Sequence, residues 1–147
     1  MEKMLKIIGI IILIADVIFC SIRVINHARF AAQYKKEVRW YWDLAEKASD
    51  IKTKSQYIDK FVYVLDRADL NGVNRVLFFP TPETDFTVNF IALKSLQKRL
   101  HDIQNMDENS FAYQTAMQQI TEQEQGQADD MLWVFRGCWY RHYHFLY

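Results

Sequence analysis

The most apolar stretch of the chain comes first: Ile7 to Ile25 reads I-I-G-I-I-I-L-I-A-D-V-I-F-C-S-I-R-V-I. From Tyr41 the spacing becomes ordered. Tyr41, Ala48, Ser55 and Val62 recur every seven residues, and Leu44, Ile51, Ile58 and Leu65 repeat three places later, the a/d seam of a coiled-coil-like helix. Off the seam, Asp43, Glu46, Lys47, Asp50, Lys52, Lys54, Asp59 and Lys60 mix both signs, as on a solvated face. Neither Gly nor Pro interrupts Arg23 to Leu70, so the first helix is expected to run straight into a stem over 26–70. Asn71-Gly72 and the two prolines, Pro80 and Pro82, punctuate a loop over 71–85, with Thr81, Thr84 or Asp85 as caps for the next helix. Leu93, Leu96, Leu100 and Ile103 predict a return helix over 86–105. Tyr113, Met117, Ile120 and Ala128 carry another over 108–130, through a polar, Gln-rich middle.

These elements predict an all-α chain: a single N-terminal transmembrane helix over 1–25, then a helical domain over 26–130, then a short tail over 131–147. About 20 helical residues cross a hydrocarbon core of about 30 Å, so the opening run is long enough. Lys3 and Lys6 precede it, and Arg23 can snorkel at its exit. A cleaved signal peptide fits less well, because Asp16 interrupts the apolar region and Phe19-Cys20-Ser21-Ile22 makes a poor small-residue cleavage site. Gly9 ahead of a long apolar helix resembles the cleavage region of type IV pilins, although the early glutamate of that family is missing and Asp16 stands further along. The whole outline, a span joined to a long helical hairpin, is similar to the LemA-type architecture in shape, with no shared motif to carry residues across.

Asp16 is the expensive residue of the span. An acid at a helix centre costs on the order of 2.5–3.5 kcal/mol on insertion scales, so it is expected to face a partner helix or a wet cavity. Arg23, Arg29, Lys35, Lys36 and Arg39 follow the span and outnumber the basic residues before it, which favours a cytoplasmic C-terminal domain.

At about 1.5 Å per residue the stem is about 69 Å long, nearly matched by 86–135 if the two return helices are collinear. A long hairpin is therefore expected, with a three-helix bundle as the alternative. The hairpin places Glu122, Glu124, Asp129 and Asp130 beside Arg29, Lys35, Lys36 and Arg39. Its tip falls at 71–85, where Phe78 and Phe79 either plug the helix ends or meet a partner. The tail, with Trp133, Arg136, Trp139, Tyr140, Arg141 and Tyr143, comes back to the bilayer surface, because Trp and Tyr favour the interface and the cations suit anionic headgroups. A protein contact suits the same residues.

Composition removes other classes. The 147 residues carry 18 basic and 18 acidic side chains, so the basic excess of a nucleic-acid binder is missing. Half the residues are apolar and only 4 are Gly and 2 Pro, which excludes disorder. Cys20 and Cys138 form no metal-ligand motif, and His142-x-His144 is spaced poorly for one helix face. There is no phosphate-binding glycine loop and no nucleophile motif, and Asp129-Asp130 point about 100° apart. No cofactor, metal, small-molecule substrate or catalytic residue is inferred. The expected function is that of a membrane-anchored structural or assembly protein. It self-associates through the seam and Asp16, or joins other membrane-protein subunits in the bilayer. A tethered partner-binding module and an accessory subunit of a membrane enzyme are the alternatives.

Overall fold

The computed structural model describes residues 2–72 and 81–145, the side chains of Glu2, Leu5, 121–127 and 144–145 excepted. Helix α1 spans Glu2–Tyr34 and passes through a π turn, Lys35–Arg39, directly into α2, Trp40–Lys47. Helix α3 covers Ile51–Arg67, α4 Phe86–Ile103 and α5 Phe111–Phe145. No strand occurs among the described residues.

The expected unbroken stem is divided at Ala48–Asp50. Ala48 is extended, and Asp50 caps α3 by accepting a hydrogen bond from the Thr53 amide at 2.8 Å. That bond also holds the Asp50 carboxyl below its ordinary pKa. An N-cap acid needs no Gly or Pro beside it, which is why the interruption left no obvious punctuation. The break lets α3 fold back along α2, so that Trp42 meets Phe61 at 5.6 Å between ring centroids. Instead of one long rod there are two shorter helices covering each other.

The remaining helices continue this alternation. Lys94 pairs with Asp66 at 3.1 Å and His101 with Asp59 at 2.9 Å, a register that sets α4 antiparallel to α3. Asp85 starts α4 by accepting from the Thr87 and Val88 amides. Ahead of it Pro82–Thr84 form one 3-10 turn capped by Thr81. Helix α5 then returns antiparallel to both α4 and α1: Phe135 packs on Phe86, Tyr34 meets Leu132, and His27 meets Tyr140. The helix pair over 86–130 is thus not collinear, since α4 and α5 pack side by side.

One core results, with Trp42, Phe61, Phe135, Leu93, Leu100 and Trp139 almost completely buried. The π turn and α2 present Val38, Trp42 and Ala45 to it, while Tyr41 and Leu44 are only half-buried. The heptad register read across 41–65 therefore applies to α3 alone, because the two helices are set independently on either side of the break.

Four rings from four helices meet in sequence, Trp42, Phe61, Phe135 and Phe86, with Phe135 between Phe61 at 6.0 Å and Phe86 at 5.4 Å. Truncating a buried aromatic ring costs about 3–5 kcal/mol. Phe135→Ala is expected to lower the unfolding free energy of the body by that amount, whereas Phe111→Ala, at 83% exposed, leaves it unchanged within about 0.5 kcal/mol. Chemical denaturation followed by circular dichroism measures both.

Candidate functional site

Helix α1 carries two different environments along one axis. From Ile7 to Ile25 its apolar side chains are all exposed, and no part of the described body covers them. It is the one helix among the described residues long and apolar enough to cross a membrane. From Tyr34 onward the same helical run is built into the core.

On the exposed part, Gly9, Asp16, Cys20 and His27 fall within about 20° of a single line along the helix. Asp16 lies in a shallow groove with Val17, Cys20, Ser21, Val24 and Ile25, and Ser21 donates to the Val17 carbonyl at 2.8 Å. Arg23 lies over the Phe19 ring at 4.9 Å. The line ends at His27, whose ring lies tilted against Tyr140 at 5.1 Å between centroids, so the small and polar face of α1 is continuous with the face that receives α5.

From Met131 to Phe145 the expected interfacial tail is the C-terminal part of α5. Met131, Leu132, Val134, Phe135, Cys138 and Trp139 are buried at helical spacing, and Gly137 does not stop the helix. Trp139 is thus a core residue, packed on Tyr34 and Tyr143, and Tyr140, Arg141 and Tyr143 are half-buried. Trp133 and Arg136 face outward. The boundary expected at residue 130 has no counterpart in the structure.

The seam also takes a different role. Ile51, Ser55, Ile58, Val62 and Leu65 are buried within the chain's own core, and Ala48 is half-buried at the break. The α3 half of the seam is closed by the same chain, so it offers no free surface for self-association.

Phe78 and Phe79 lie outside the described residues. The residues on either side of that segment lie at the α1 end of the body, not at a distal tip. Gly72 accepts from the Phe86 amide at 2.9 Å and from the Cys138 thiol at 3.7 Å, and Arg141 donates to the Asn71 carbonyl. Helix α3 ends at Arg67, Asp69 adopts the left-handed conformation that closes helix C-termini, and Gly72 has φ +75°. The turns at 48–50 and 104–110 occupy the opposite end, because α3 and α4 each reverse direction.

Two clefts open on α5. The first, about 460 Å³, has an apolar floor of Trp42, Leu93, Leu96, Met131 and Val134, with Glu83 and Asp130 at its rim. The second, about 560 Å³, is lined by Lys35, Arg39 and Arg136, by Asp43 and Asp129, and by Tyr34, Trp133 and Tyr140. Asp129 lines the same cleft as Lys35 and Arg39 without forming an ion pair with either, while Asp130 lines the first cleft. In the sequence the cleft residues are overshadowed by the stronger heptad of α3; the spacing Tyr34, Val38, Trp42, Ala45 carries the signal.

Among the described residues no group of three or more His, Cys, Asp or Glu is placed to hold a metal. Burial pushes the Cys138 thiol up, with Arg141 acting in the opposite sense. No family model matches the chain, and no characterised protein or solved structure shows significant similarity to it, so the pilin and LemA resemblances are carried no further.

Tyr34 joins the exposed and buried parts of the first helix. Its hydroxyl donates to the Leu132 carbonyl at 3.1 Å, and burial raises its pKa well above the ordinary phenol value, against the pull of Arg39 and Arg136. The folded state therefore keeps a proton that the unfolded chain releases above about pH 10. Stability from this group is complete below that pH and declines above it. Tyr34→Phe is expected to cost about 1 kcal/mol at neutral pH and to reduce the alkaline decline, both read from denaturation midpoints across pH.

Proposed function

We propose that the protein is a membrane-anchored, non-catalytic assembly protein. In this reading α1 crosses the bilayer, its Asp16 face binds a second transmembrane helix, and the helical body stands at the membrane surface. The observation that carries it is the exposure of α1. Ile7 to Ile25 presents thirteen large apolar side chains uncovered by the described body. At about 1.5 kcal/mol or more each, their burial outweighs the 5–15 kcal/mol that stabilises an ordinary domain. Lipid supplies that burial along most of the helix, and a partner helix relieves Asp16. The partner is a second copy or another membrane subunit, and the basic residues after the span favour a cytoplasmic body.

The first cleft favours a second, compatible role. Its apolar floor, beside Trp133 at 44% exposed, gives a tethered module a place to hold a partner.

The protein is expected to stay in the membrane pellet after alkaline carbonate washing and to run as a detergent-stable oligomer. Asp16→Ala should remain in the pellet yet sediment as a monomer. Release by carbonate would remove the anchor, and a wild-type monomer indistinguishable from Asp16→Ala would remove the assembly role.

A further inference from the structure

The second cleft has the make-up of an anion site. Lys35 and Arg136 have no ion-pair partner among the described residues, and Arg39 engages Asp43 through Nε at 2.8 Å, leaving its terminal NH2 groups for another acceptor. With Asp43 occupied by Arg39, Asp129 is the remaining counter-charge on the wall, so the cleft keeps a net positive charge. The backbone is unusual at the same place: Lys35–Arg39 is the π turn, a widened segment of the kind that recurs at binding sites, and both of its end residues line the cleft. Tyr140 adds a hydroxyl that makes no hydrogen bond with the described residues, and Trp133 adds an indole.

We infer that this cleft binds a phosphate group carried on a larger organic molecule. Guanidinium groups match phosphate oxygens with paired donors, and a lysine adds a point charge. Two guanidinium groups and an ammonium lining one cleft suit a dianion better than a single carboxylate. A cavity of about 560 Å³ exceeds what phosphate alone fills, and the aromatic side chains supply a surface for the rest of the ligand. The phosphate belongs either to a soluble compound or to a lipid headgroup. Lys35 lies about 15 Å along the helix from Ile25, whereas the headgroup zone extends only about 5–7 Å beyond the hydrocarbon on each side. That spacing, which rests on the anchor reading, favours the soluble source; the cleft itself does not depend on it.

The test is isothermal titration calorimetry of the full-length protein in phosphatidylcholine nanodiscs, with inorganic phosphate and then pyrophosphate as probes, at constant ionic strength. Saturable binding is expected, weakened about tenfold or more in Arg136→Gln and in Lys35→Gln. Lys52→Gln, an exposed change on α3 away from the cleft, should bind as wild type does. Circular dichroism of Arg136→Gln, whose side chain is exposed, should match wild type. Repeating the titration in nanodiscs that also contain phosphatidylglycerol separates the sources: unchanged affinity assigns a soluble ligand, and a loss assigns competition by headgroups. Absence of saturable binding, or equal affinity in both variants and wild type, overturns the inference.

Discussion

The structure depends on one line of aromatic contacts that joins α2, α3, α5 and α4. Trp42 of α2 meets Phe61 of α3, Phe61 meets Phe135 of α5, and Phe135 meets Phe86 of α4. Such pairs contribute about 0.5–1.5 kcal/mol each beyond the area they bury. Their larger effect is on direction. Trp42 can reach Phe61 only if the chain reverses at 48–50, and Phe135 can reach both Phe61 and Phe86 only if α5 returns along α4 with that ring turned toward α3. The alternation of the helices, and hence which turns lie near the end of α1, follows from these contacts.

That direction decides what each terminal feature can do. Because α5 runs back along the base of α1, Tyr34 is tied to Leu132 and His27 to Tyr140, and the body is joined to α1 by side-chain contacts as well as by the chain. Asn71 and Gly72 are held at the same end by Arg141 and Cys138. In the proposed reading, the exposed helix, the end of α5 and the residues around 71–72 all face one bilayer, and the turns at 48–50 and 104–110 face away from it. The basic wall of the second cleft lies between the two regions, beyond the apolar part of α1.

Much of this was legible locally. The uninterrupted apolar run, the apolar spacing of α4, and the Asp85 cap are written in adjacent residues, where periodicity and capping act directly. The four-heptad seam was half right, since Ile51, Ser55, Ile58, Val62 and Leu65 do form one buried stripe. What it hid was the break, because Asp50 caps a helix with no glycine or proline to mark it. The aromatic tail was misplaced for a related reason. Composition rich in Trp, Tyr and Arg describes an interface and a core stripe equally well, and only the 131, 134, 135, 138 spacing points to the core. The charged cleft was legible only in part: the hairpin reading set Asp129 near Lys35 and Arg39, while Arg136 and Tyr140, about a hundred positions further along, join them only when α5 packs on α1.

The depth of two labelled positions in nanodiscs tests this arrangement most directly. Nitroxides at Asn71 and at Asn109, both exposed, report distance from the bilayer through collisions with lipid-soluble oxygen and a water-soluble nickel chelate. With α1 as the anchor beneath the body, Asn71 is expected at the membrane surface and Asn109 far from it in water. A label at Asn71 as remote from lipid as that at Asn109, or more so, would contradict both the reversal at 48–50 and the reading of α1 as that anchor.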